Sequence, residues 1–193
     1  RTDAKVALVT GAAGGLGSAI CRRLAKDGYK IAINFRNQPE KADALAAEIA
    51  ELGGEALLIQ ADISNEADIE SLVFQTVRRF GIITVLINNA SPRINPCKLL
   101  ESEWSDFQKQ IDVQVKASFE LIKRCAMIMK DSGGGSIVNM SSQVIDGVPT
   151  ASWGAYALAK EALNSLTKSA ALELGPYNIR VNEISPGMVE TAL

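Results

Sequence analysis

Short apolar runs alternate along this chain with stretches whose apolar residues recur every three or four positions. Val6–Val9 is such a run. After the glycine-rich stretch Gly11–Gly17, the residues Leu16, Ile20 and Leu24 fall on one helical face that Gly28 closes. Ile31–Phe35 predicts a second strand, and Leu45, Ile49 and Leu52 a helix stopped by Gly53-Gly54. Ala56–Ile59 is a third strand. Ile69, Leu72, Val73, Thr76, Val77 and Phe80 then mark a helix with Ser64 or Asn65 as its N-cap. Val85–Asn88 is a fourth strand, and apolar positions from Trp104 to Met129 predict one long helix of about 25 residues. Gly133-Gly134-Gly135 breaks it before the strand Ile137–Met140, and a helix from Ala155 to Leu174 and a strand over Ile179–Ile184 complete the series.

Strands with near-continuous apolar character, each followed by a helix, describe a parallel sheet covered on both faces. Right-handed crossovers turn that pattern into an α/β, Rossmann-type, doubly wound sheet in the order 3-2-1-4-5-6. Residues 1–193 read as a single domain without repeats, linkers or low-complexity stretches.

Composition narrows the function. The formal charge is −2 and Lys and Arg form no cluster, which argues against a nucleic-acid or anionic-membrane surface. No apolar run approaches the roughly 18–20 residues of a membrane span. Arg1–Lys5 contains no apolar core of a signal peptide, and the first residue is Arg rather than Met, which points to a trimmed chain. Cys21, Cys97 and Cys125 are odd in number and show no Cys-x-x-Cys spacing, the pattern of packing thiols in a reducing cytoplasm. Histidine is absent, so histidine bases and histidine metal sites are excluded and no metal is expected. Acid–base chemistry must come from Tyr, Lys, Asp, Glu or Cys.

Two stretches carry chemistry. Thr10-Gly11-Ala12-Ala13-Gly14-Gly15-Leu16-Gly17 joins the first strand to the first helix, where glycines let the backbone approach a pyrophosphate and the helix start favours its charge. Tyr156 and Lys160 are four apart on one helix and share a face, so a lysine ammonium beside the phenol is expected to lower its pKa. They follow a strand that ends in Ser141-Ser142.

With Thr10-Gly11-x-x-x-Gly15-x-Gly17, Asp62, Asn88-Asn89-Ala90, Ser142, Tyr156-x-x-x-Lys160 and Pro186-Gly187-x-x-x-Thr191 in this order, the chain resembles the classical short-chain dehydrogenase/reductase family over nearly its whole length. Within it the resemblance is closest to the 3-oxoacyl-(acyl-carrier-protein) reductase type. The resemblance implies hydride transfer between a nicotinamide and a carbonyl or secondary alcohol, on a small-molecule or acyl-thioester substrate. Tyr156 would be the proton donor, Ser142 the group on the substrate oxygen (Ser141 being the fallback), and Lys160 the partner of Tyr156 and of the nicotinamide ribose. Gly11, Gly15, Leu16 and Gly17 would hold the pyrophosphate, Asp62 and Ile63 the adenine, and Asn89 and Ala90 the path to the nicotinamide ribose. Pro186, Gly187, Val189 and Thr191 would close over the nicotinamide. Arg36, where a NAD-selecting acid would stand at the end of the second strand, favours NADP(H) and leaves NAD(H) open.

The chain departs from the family in four places. Gln114 stands where an Asn usually serves the proton relay, and slower or altered proton exchange is expected from the longer side chain. Tyr156 comes 14 positions after Ser142, one more than the family spacing, so the loop 143–155 carries an insertion. Gly14 replaces a second basic residue, and Ser91 replaces a glycine. The resemblance further implies a substrate-covering region beyond Leu193 and a homodimer or homotetramer formed on the long helix and the Tyr156 helix. Phe119 and Leu163 on those helices read equally as interface or core. Trp104 reads as buried packing, and Trp153 as a substrate neighbour. A catalytically inactive nucleotide-binding module, used for sensing or assembly, is the alternative reading.

Overall fold

The computed structural model describes residues 5–189. Six strands form one sheet: β1 (Val6–Val9), β2 (Lys30–Phe35), β3 (Ala56–Gln60), β4 (Val85–Asn88), β5 (Gly135–Met140) and β6 (Ile179–Ile184). Every neighbouring pair is parallel, and the spatial order is β3-β2-β1-β4-β5-β6. The helices are α1 (Gly15–Lys26), α2 (Pro39–Glu51), α3 (Glu66–Phe80), α4 (Trp104–Ile111), α5 (Ala117–Asp131) and α6 (Gly154–Leu174).

Alternation along the strands splits the core in two. Ala7 and Val9 of β1 join Ile31, Ile33 and Phe35 of β2 beneath α1 and α2, against Cys21, Ala42, Leu45 and Ile49. Leu8 and Ala32, the intervening residues, face the other way with Leu86 and Ile137, toward Leu72 of α3 and Leu121, Cys125 and Met129 of α5. Both faces being covered is why the strands read as continuous apolar runs instead of alternating ones.

Local signals set the helix ends. The Asn65 side chain accepts from the backbone N–H groups of Ala67 and Asp68, which resolves the N-cap of α3 in its favour over Ser64. Gly81 closes that helix with φ of 80°. The long helix expected from Trp104 onward is not uniform. A π-helical turn over Asp112–Lys116 separates α4 from α5. Trp104, expected in the core, is 65% exposed and stacks on Phe107 at 5.8 Å. Its place in the first turn of α4 puts it outside the packed layer. Leu163 is core, whereas Phe119 is 47% exposed. Among the described residues no helix is long and apolar enough to cross a membrane.

Candidate active site

β1 is paired with β2 on one side and β4 on the other, so consecutive crossovers leave it in opposite directions. That switch point opens a crevice beyond the carboxyl ends of the strands. A cleft of about 580 Å³ lies there.

Its floor is the turn between β1 and α1. Gly11 has φ of 59°, and a Cβ added to it would sit 2.8 Å from the Ala90 Cα. One added to Gly17 would sit 2.5 Å from the Gly11 carbonyl oxygen and 2.8 Å from Asn89 Nδ2. Glycine is thus required where the turn presses on the end of β4. Asn89 Nδ2 donates to the carbonyls of Thr10 and Gly11 at 2.9 and 3.1 Å, and Thr10 Oγ1 accepts the backbone N–H groups of Asn89 and Ala90. Asn34 secures the turn from β2: its Oδ1 accepts the Gly11 N–H at 3.4 Å and its Nδ2 donates to Ala61 O at 3.1 Å. Sequence reasoning passed over Asn34, although an Asn inside the apolar run Ile31–Phe35 was the available signal.

Gly11, Gly15, Leu16, Gly17, Asn89 and Ala90 all line the cleft. Gly14 caps α1 without a side-chain hydrogen bond, and no acid stands in the first turn. The free N–H groups of that turn therefore face the cleft without a carboxylate to compete for them, a donor set that fits a pyrophosphate. At the neighbouring wall, Arg36 and Asp62 line the cleft with Ile63, and Arg36 Nη1 lies 3.6 Å from Asp62 Oδ2. Burial alone would raise the Asp62 pKa. The Ser64 amide and hydroxyl, with Arg36, more than reverse this and hold the carboxyl below its ordinary value.

The far wall comes from β5 and α6. Lys160 is 3% exposed, and its Nζ donates to Met140 O at 2.5 Å and lies 5.5 Å from the centre of the Tyr156 ring. Burial lowers its pKa from 10.5 to about 8, against an opposing pull from Glu183. Tyr156 is half-buried between this ammonium and Trp153, whose ring meets it edge-on at 5.8 Å. Burial raises the Tyr156 pKa and the nearby Ser142 hydroxyl lowers it, with burial prevailing. The lowering expected from Lys160 is therefore corrected: withdrawal of the phenol from water is the larger effect.

Tyr156, Lys160, Ser141 and Pro186 line the cleft, and Ser142 follows Ser141 directly behind that lining in the chain. Ser142 Oγ accepts the Val144 N–H, and Pro186 O accepts the Gln143 N–H, which ties the two loops together. Gly187 and Val189 are exposed outside the cleft lining, and Thr191 lies outside the described residues. Gln114, expected in the relay, is 1% exposed and lies beside the lining residue Val113 in the chain without being part of the lining itself. Its Nε2 donates to Gln110 Oε1 at 2.5 Å, because a side chain longer by a methylene reaches the preceding helical turn. Arg93, which spacing gave no reason to single out, joins the lining from the segment after β4.

A family model described as short chain dehydrogenase matches residues 5–193. The 3-oxoacyl-(acyl-carrier-protein) reductase FabG of Staphylococcus aureus is 36% identical over 187 residues, covering 96% of this chain and 74% of that protein. Among solved structures, NAD+-bound xylitol dehydrogenase superposes with a TM-score of 0.90 at 37% identity, covering 95% of this chain and 70% of the other. Levodione reductase does so with a TM-score of 0.93 at 32% identity, over 100% of this chain and 74% of the other.

Proposed function

Because this chain belongs to the short-chain dehydrogenase family, and is a nicotinamide-dependent oxidoreductase acting between carbonyls and secondary alcohols, we propose that Tyr156, Ser142 and Lys160 carry out its acid–base chemistry. The carrying observation is that the Tyr156 phenol, backed by the Lys160 ammonium 5.5 Å from its ring centre, meets the glycine turn in one cleft. When bound, the nicotinamide supplies a hydride to the carbonyl carbon or takes one from the alcohol. Tyr156, a phenol whose pKa burial raises further from its ordinary alkaline value, gives its proton to the substrate oxygen in reduction. Ser142 stabilises the charge that develops on that oxygen, and Lys160 stabilises the phenolate left behind. Rising pH removes the proton that reduction needs, so reduction falls and oxidation gains in alkaline solution.

The turn Gly11, Gly15, Leu16 and Gly17 would hold the pyrophosphate, Asp62 and Ile63 the adenine, and Asn89, Ala90 and Lys160 the nicotinamide ribose. Pro186, Gly187, Val189 and Thr191 would cover the ring. Preference for NADP(H) is supported by Arg36, whose guanidinium sits at the tip of β2 in the cleft and can exchange Asp62 for a 2′-phosphate. The relatives support a 3-oxoacyl thioester or a similar small ketone as substrate. The inactive binding module gains nothing from them, since those named are reductases and dehydrogenases. A homo-oligomer formed on α5 and α6 is supported by an apolar groove of about 380 Å³ between them, lined by Phe119, Met127 and Tyr177. Three unpaired cysteines suit a cytoplasmic location.

Tyr156→Phe tests the assignment. Carbonyl-dependent oxidation of the reduced nucleotide, followed by absorbance, should be abolished while nucleotide affinity stays within a few-fold. Unchanged turnover would refute the role of Tyr156.

A further inference from the structure

Gln114 and Gln110 form a link that the chemistry above does not use. Both are buried, at 1% and 6% exposure. Gln114 Nε2 donates to Gln110 Oε1, and Gln110 Nε2 donates onward to the backbone carbonyl of Arg93 at 3.3 Å. Two primary amides removed from water cost free energy unless their hydrogen bonds are met, and Gln114 Oε1 lacks a partner among the described residues. Such a link is informative for what it holds. Its outer end holds the segment after β4, where Ser91, Pro92, Arg93 and Ile94 line the same cleft as Tyr156 and Lys160. A second tether, Cys97 N–H to Ser152 O at 2.9 Å, fastens the far end of that segment to the loop preceding Tyr156.

The charges in the cleft are unevenly matched. Among the described residues, Arg36, Asp62, Arg93 and Lys160 are the charged side chains in its lining, and Asp62, the one carboxylate among them, is engaged by Arg36. Lys160 is buried against a backbone carbonyl. Arg93 is exposed, enters no ion pair among the described residues, and keeps its planar fork of donors for a ligand. We infer that Arg93 docks a negatively charged substituent of the carbonyl substrate, a carboxylate or phosphate, and that Gln110 and Gln114 are positioning residues that hold Arg93 in place. The inference rests on the reductase reading of the same cleft.

A matched pair of ketones tests it: 3-oxobutanoate and its methyl ester, assayed with saturating nucleotide. Arg93→Met should lower the acid-over-ester ratio of kcat/KM at least tenfold, and Arg93→Lys should lower it less. Gln110→Met should lower the ratio about threefold, through KM for the acid with kcat little changed. A purely structural role for Gln110 would reduce both substrates alike and leave the ratio untouched, which would overturn the inference. So would a loss that follows the KM of the nucleotide, since the guanidinium would then serve the nucleotide's own phosphates. A wild-type protein that binds the nucleotide yet reduces neither member of this pair, nor any other charged and neutral ketone pair, would refute the reductase reading and this inference with it. Reduction of both ketones with no dependence on Arg93 would refute the inference alone.

Discussion

Replacing Lys160 with methionine should destroy turnover and leave the protein as stable as before at neutral pH, or more so. Lys160 is 3% exposed, and burial brings its pKa from 10.5 to about 8 while Glu183 pulls the other way. The folded-state value is the lower one. Below it both states hold the proton and the folded state bears the full cost of a desolvated ammonium. Between the two values only the unfolded chain holds the proton, so stability rises with pH across this window. The displacement corresponds to about 3 kcal/mol, of which about 2 kcal/mol is regained between about pH 7 and pH 9.5. Methionine removes the titration and leaves the Met140 carbonyl without its donor, a loss of about 1–3 kcal/mol. The variant should therefore lie between parity and about 2 kcal/mol above wild type at pH 7, with the difference moving toward wild type by about 2 kcal/mol at pH 9.5. Urea unfolding of both proteins across this range measures it. The Cys21 and Cys125 thiols, pushed up to about 12 by burial, titrate with the opposite sign but are common to both proteins and cancel. A difference that stays constant with pH, or moves toward the variant, would refute the claim that this ammonium is held at a cost.

Two other outcomes follow from the same geometry. Arg36→Ala should weaken NADPH binding at least tenfold more than NADH binding, read by fluorescence titration, because a 2′-phosphate would lose its charge-assisted donors; equal losses would return Arg36 to its pairing with Asp62. Light scattering should find a dimer or tetramer, and Phe119→Glu should shift it toward monomer; a monomeric wild type would refute the interface on α5 and α6.

The strands, the glycine turn and the shared helix face of Tyr156 and Lys160 were legible because they depend on features local in sequence; the strand order followed from the handedness of the crossovers, and the meeting of the turn with Tyr156 and Lys160 from the family resemblance. Apolar runs mark buried strands, glycines mark the turn, and a spacing of four puts two side chains on one helix face. What escaped depends on neighbours distant in sequence. Asn34 looks like a blemish in an apolar strand until Gly11 and Ala61 stand beside it. The apolar spacing that identified a helix at Trp104 could not tell that its first turn projects into solvent. The direction of the Tyr156 shift followed burial, and the depth of a phenol below the surface is not written in the spacing to a lysine. Gln114 was singled out by the family resemblance, but only the fold shows that its amide is taken up by Gln110, whose own amide holds the Arg93 carbonyl.

The π-helical turn over Asp112–Lys116 makes the length of this segment matter as much as its composition. One surplus residue in a turn offsets the helical phase by roughly 100°. The two halves of this rod differ in their main neighbours, α4 lying against α6 and α5 against α3, the sheet and, less extensively, α6. Deleting one residue within the turn would regularise the helix and leave α5 seated, while rotating α4 and swinging Gln110 off the segment it tethers. The wide turn is thus a phase adjuster between the core and the rim of the cleft. Single-residue insertions or deletions here would retune the substrate end of the enzyme while sparing the fold beneath it.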